Sequence, residues 1–147
     1  MINLDTSVNH RIAMLAVSLK RQAFRLISEN NIAITPDQWV FLYYLWQEDG
    51  LPVGSLAAKS KKDFANTTRI IDKLVTLGYV EKRKNTADSR ITTIYLLPQA
   101  ETIRETMNKV WEASTEIAMQ GISQTEQAFL LELVDRMEQN VLAQDGE

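Results

Sequence analysis

Asp63 to Leu97 reads DFANTTRIIDKLVTLGYVEKRKNTADSRITTIYLL, and this stretch decides the fold. Asp63 can cap a helix, because its carboxylate can accept from the free N–H groups of a first turn. Ile70, Leu74 and Leu77 recur at helical spacing and predict the buried face. Gly78 ends the helix, since a left-handed residue there costs glycine nothing. Tyr79 to Lys84 reads as a strand, Asn85 to Arg90 as a polar turn, and Ile91 to Leu97 as a second strand rich in β-branched residues. A helix followed at once by a two-stranded ribbon with a basic tip describes a winged helix.

Charge follows the same division. Lys59 to Arg90 holds nine Lys/Arg against four acids, a net of +5, while residues 91–147 carry −7 and residues 1–58 carry −1. A mildly acidic chain thus concentrates its cations in one block, which suits a phosphate backbone. Charge alone fits a solvated surface ribbon equally well.

Working outward, Ser60-Lys61-Lys62 is the turn into that helix. Leu51-Pro52 opens a short helix, Val53 to Lys59, with Leu56 and Ala57 turned inward. Two helices joined by a tight turn, the second longer and polar at its start, make a helix-turn-helix. Upstream, Thr35 caps a further helix, Pro36 takes its first position and Gln38 completes a capping box. WVFLYYLW could be a buried strand by composition; the cap and the stop at Gly50 decide for helix. It is apolar nearly all round and so is buried on more than one side. Val8 to Ser28 is the first helix, with Val8, Ile12, Leu15, Leu19 and Leu26 near heptad spacing and Lys20, Arg21 and Arg25 outside.

Downstream, Pro98 starts a long helix running to about Gln120, and Ser123 to Glu126 is a second capping box before the last helix. Glu101, Glu105, Glu112 and Glu116 form a solvated face rather than a metal site, because no histidine joins them. Three amphipathic helices from residues 8–28 and 98–143 exceed what the winged helix can cover. A two-fold dimer is the economical answer, a monomeric helical bundle the alternative. The expected fold is therefore mainly α with a small β-wing. A winged helix-turn-helix at 35–97 is flanked by dimerisation helices at 1–34 and 98–147 within one domain, 1–147.

Composition removes whole classes of chemistry. The chain has 147 residues, no cysteine and one histidine, His10. Thiolate metal sites, cysteine nucleophiles, disulfides and thiol redox sensing are excluded, as are His-based triads and His-cluster metal sites. No glycine-rich phosphate loop is present. Neither an enzyme nor a cofactor or metal is expected. Asp5, His10 and Arg11 precede a short apolar run without a cleavage site, and no apolar run spans a bilayer, so a cytoplasmic protein with no membrane partner is expected.

The order of elements and several motifs resemble the MarR family of bacterial transcription regulators. The matching residues are Thr35-Pro36-x-Gln38-Trp39, Leu56-Ala57, Thr68-Arg69-x-x-Asp72-x-Leu74, Leu77-Gly78-Tyr79-Val80, Asp88-x-Arg90 and Leu96. The chain departs from the family at Leu97 and Ala100, where Thr and Gly are usual. It departs again at Phe64, where a basic or small polar residue is common, and at Asn66, where Thr or Ser is common. The resemblance implies a homodimeric repressor on a palindromic operator in double-stranded DNA. Each recognition helix would lie in a major groove and each wing tip near the flanking minor groove.

Residue chemistry agrees. Asn66 can bond adenine bidentately, Arg69 can bond guanine, and Thr67 or Thr68 can touch a thymine methyl; Thr67 could instead face the core. Lys61, Lys62, Lys73, Arg83 and Lys84 are candidates for backbone phosphates. Arg90 is the candidate minor-groove residue and Asp88 its support in the wing. The family further implies release by a small aromatic or phenolic effector in a crevice lined by the first two helices. His10, Met14, Tyr43 and Trp46 are the candidates there, with plain core as the competing reading of Tyr43 and Trp46. The rival function is a winged helix used only for protein–protein assembly.

Overall fold

The computed structural model describes residues 1–146. After a 3-10 turn at Leu4–Thr6, the helices are α1 (Val8–Glu29), α2 (Pro36–Gln47), α3 (Val53–Ser60), α4 (Phe64–Thr76), α5 (Pro98–Ala118) and α6 (Gln124–Gln144). The strands are β1 (Leu51–Pro52), β2 (Val80–Lys84) and β3 (Thr92–Leu96), in the antiparallel order β1-β3-β2. The chain divides into two units, Met1–Glu112 and Ala113–Glu147. Among the described residues, no helix is long and apolar enough to cross a membrane.

In the first unit, the expected capping box starts α2. Gln38 N donates to Thr35 Oγ1 at 3.2 Å, and Thr35 N donates to Gln38 Oε1 at 2.9 Å. The helix then buries Phe41, Leu42, Leu45 and Trp46. Burial of side chains of this size is worth about 1.5–3 kcal/mol each. Ile71 and Leu74 of α4, Leu56 of α3, Ile94 of β3 and Met107 of α5 complete the same core.

Two expectations change. Leu51 and Pro52 do not merely lead into α3; they form a strand, Leu51 opposite Ile94 and Pro52 opposite Thr93. The buried face of α4 is Thr67, Ile71 and Leu74, whereas Ile70 and Leu77 are only half-buried. Thr67 can be sealed because its hydroxyl donates to Asp63 O at 2.8 Å, which satisfies it inside the helix. Gly78 ends α4 with φ +82°, as its position after the last turn requires.

In the second unit, Ser123 and Glu126 exchange the two bonds of a capping box at the start of α6, 3.0 and 3.1 Å. The Ser123 backbone N–H, then its hydroxyl, hold the Glu126 carboxyl below its ordinary value. No residue of α6 is buried. Phe129, Leu131 and Val141 are each more than half exposed.

Candidate nucleic-acid interface

The turn between α3 and α4 works without glycine. Lys61 adopts the left-handed conformation, φ 54°, ψ 37°, at the end of α3. Its N–H and that of Lys62 reach back to Ala58 O and Ala57 O at 3.3 and 3.1 Å, closing the helix end. Lys61 is exposed on this turn. Lys62 is drawn inward to Asp37 at 3.3 Å, and Asp37 also holds Lys20 of α1 at 3.0 Å. Burial alone would push the Asp37 carboxyl up. The hydrogen bonds and charges of the two lysines outweigh it and hold that carboxyl below its ordinary value. Nothing local in the sequence marks Asp37 as the junction of α1, α2 and the turn.

Asp63 caps α4 by accepting from Asn66 N at 2.7 Å. The side chains of α4 then part company. Thr67 is fully buried, so it is core and not a DNA contact. Thr68 is half-buried, and Arg69 and Lys73 are exposed. Asn66 donates to Asp63 Oδ2 and accepts from Arg69 Nη2, both at 2.8 Å. Phe64, at the first position of α4, is 69% exposed. With Arg90 and Ile91 it borders a surface groove of about 440 Å³ between the start of α3 and the root of the wing.

The wing tip is tied by its own side chains. Asn85 Oδ1 accepts from Ala87 N and Asp88 N at 2.8 and 3.1 Å. Asp88 accepts from Arg90 N at 3.0 Å and grips the Arg90 guanidinium through both oxygens, at 3.0 and 2.9 Å. That guanidinium, and next the Arg90 backbone N–H, hold the Asp88 carboxyl below its ordinary value. The Arg90 side chain is nevertheless 88% exposed. It is held at one edge and open on the other.

The strands of the wing carry their cations differently. Lys82 pairs with Asp72 of α4, and Arg83 pairs with Glu81. The Arg83 guanidinium also lies 4.1 Å from the ring centroid of Tyr95. Tyr95 in turn packs on Gly50, where φ is +73° and an added Cβ would stand 2.8 Å from the ring. Lys84 is exposed. Much of the basic block is therefore already paired within the chain, a fact that charge counting could not reveal.

The four effector candidates differ in exposure. Trp46 is core, while Met14 and Tyr43 are 45% and 44% exposed. His10 is half-buried on α1. A cleft of about 420 Å³ does lie between α1 and the start of α2, but Val17, Lys20, Arg21, Phe24, Pro36 and Asp37 are among its walls. The aromatic side chains of α2 turn elsewhere: Trp39 stacks on Trp111 of α5 at 4.9 Å between ring centroids.

Comparison with known proteins agrees with this geometry. The model of the MarR family matches residues 34–92. An uncharacterized HTH-type transcriptional regulator of Bacillus subtilis, YsmB, is 32% identical over 101 residues, 69% of this chain; the match spans 65% of that relative's length. The HTH-type transcriptional regulator TtmR of Methylorubrum extorquens is 23% identical over 98% of this chain and 72% of its own. The crystal structure of a MarR transcriptional regulator from Methanosarcina mazei superposes with a TM-score of 0.82 at 25% identity, covering 92% of this chain and 96% of that one. A MarR protein from Peptoclostridium difficile shares the fold with a TM-score of 0.86 at 23% identity, over 96% of this chain and 91% of that one. These relatives are transcriptional regulators, and residues 34–92 of this chain form a MarR family region within a fold shared with solved MarR proteins.

Proposed function

We propose that this protein binds double-stranded DNA as a homodimer, on a palindromic operator in the bacterial cytoplasm, and represses transcription until a small effector releases it. The observation that carries the reading is the wing tip. Arg90 is fixed by Asp88 yet 88% exposed, the state expected of a cation pre-organised for a phosphate or a narrow minor groove. Arg69 and Lys73 on α4, Lys61 on the turn and Lys84 on β2 add outward cations.

Residues 35–97 would form the DNA-binding part of one domain, with 1–34 and 98–147 as dimerisation helices. Supporting the dimer, α6 buries no residue of its own, and α1 leaves Val8 and Leu15 more than half exposed. Surfaces of that kind are covered by a second copy in two-fold oligomers. The effector reading rests on the cleft between α1 and α2. Val17 and Phe24 give it apolar walls, and Arg21 gives it a cation, a combination suited to a small aromatic anion.

Binding to random-sequence DNA at low and high salt tests the central reading. Affinity that falls steeply with salt supports it. No binding at low salt would leave the assembly module as the better account.

A further inference from the structure

The start of α4 contains a chain of three side chains that bears on how a site would be read. It rests on the DNA-binding reading above. Asp63 uses one carboxylate oxygen for the Asn66 backbone N–H, at 2.7 Å, and the other for the Asn66 side-chain amide, at 2.8 Å. Asn66 Oδ1 accepts from Arg69 Nη2, also at 2.8 Å. Residues three apart share one helix face, so all three stand in line on the first turns.

An asparagine that reads adenine must present its amide as donor and its carbonyl as acceptor, in one plane, to the N7/N6 edge. Both halves of the Asn66 amide are engaged along the helix instead. Each half keeps one position open, a second N–H and a second lone pair, but the bonds to Asp63 and Arg69 set the plane of the amide, and turning it onto an adenine edge would strain both. Arg69 is in the opposite position. It is exposed, and one Nη2–H bond leaves the other guanidinium donors available for guanine O6 and N7. An arginine whose fork is already aimed loses less side-chain freedom on binding.

We propose that Arg69 reads guanine in each half-site, and that Asn66 reads no base but positions the Arg69 guanidinium, itself fixed by Asp63. The specificity of this helix then turns on one guanine contact and on the neutral amide behind it. Asn66 leaves the charge of Arg69 whole, in contrast to the carboxylate behind Arg90.

Selection of bound DNA from a random pool, with wild type and variants of confirmed thermal stability, tests this. Arg69→Ala should erase a guanine preference at one position per half-site, a loss of roughly tenfold or more in discrimination. Asn66→Ala should weaken preference at that same position by at least about twofold and relax no other, and its effect should vanish in the Arg69→Ala background. Asp63→Ser keeps a hydroxyl able to cap α4 but cannot also hold the Asn66 amide, so it should reproduce Asn66→Ala more weakly. Being neutral for neutral, Asn66→Ala should leave the salt slope on random DNA unchanged. An adenine position relaxed by Asn66→Ala, with the guanine position intact, would overturn the proposal, as would an unchanged selected sequence for Arg69→Ala. Wild-type protein that binds no DNA at low salt would instead sink the DNA-binding reading itself.

Discussion

α4 and α6 are both amphipathic helices, and the protein treats them in opposite ways. In α4 the stripe of Thr67, Ile71 and Leu74 is sealed, each 1% exposed or less. In α6, 21 residues long, nothing is buried, and Leu131 is 65% exposed. The difference teaches that an apolar stripe reports only a demand for cover. Neighbouring elements of the same chain meet it for α4, whereas α6 buries no residue of its own. Polar groups divide the same way: Asp37 is answered inside the chain, and Arg90 points out of it.

The largest effect should come from the sealed side. Leu74→Ala removes a fully buried side chain and should cost about 2–5 kcal/mol in a denaturant titration. A loss under about 1 kcal/mol would mean that α4 is not anchored as described. Next, Leu131→Glu with Val134→Glu places charge on the uncovered stripe. Sedimentation should show the particle falling to monomer mass while helical circular dichroism persists. Operator affinity should drop by roughly 100-fold as the linked second half-site is lost. A helix that melts instead would erase the contrast.

Arg90→Ala should be smaller and uniform across sequences. Each lost phosphate contact removes roughly 0.9 from the slope of log K against log salt, so a dimer should lose about two units. Asp88→Ala should act in the same direction more weakly, since it removes the orienting partner but also a negative charge. An unchanged affinity and an unchanged slope for Arg90→Ala would show that Arg90 does not touch DNA.

Asp37→Asn should be smallest. The carboxyl is partly exposed, so its ties to Lys20 and Lys62 should contribute less than about 1 kcal/mol. Its folded value lies below the ordinary 3.8, so that contribution is complete above 3.8 and is lost as pH falls through the lower folded value. The gap between wild type and variant, read by denaturant titration, should be constant from pH 7 to pH 5 and close only in stronger acid.

Where a local rule governed, the sequence was legible. The boxes Thr35/Gln38 and Ser123/Glu126, the Asp63 cap and the Gly78 stop each involve residues within one helical turn, and all stand where their spacing puts them. The third strand was not legible, because two residues pairing with Ile94 and Thr93 carry no periodicity of their own. The face of α4 was set one residue off, at Ile70 and Leu77 rather than Ile71, while the core placement left open for Thr67 is the one found, its hydroxyl bonded to Asp63 O. In the candidate site, the outward Arg69 and the Asp88–Arg90 pair were readable from their motifs. The partners of Asn66, Lys62 and Arg83 were not, since charge sums do not say which cations are already spoken for.

Gly50 gives the wing a hidden weak point. Arg83 rests on Tyr95, and Tyr95 rests where any side chain at position 50 would collide with its ring, on a backbone whose φ of +73° already excludes most residues. A map of damaging mutations should thus show a sensitive spot at a residue with no charge and no side chain to lose. Alanine there would act at a distance, tilting the tyrosine and carrying the arginine off its seat. Screens that look only for lost cations would class such a variant as a folding defect, although its first casualty would be the aim of the wing.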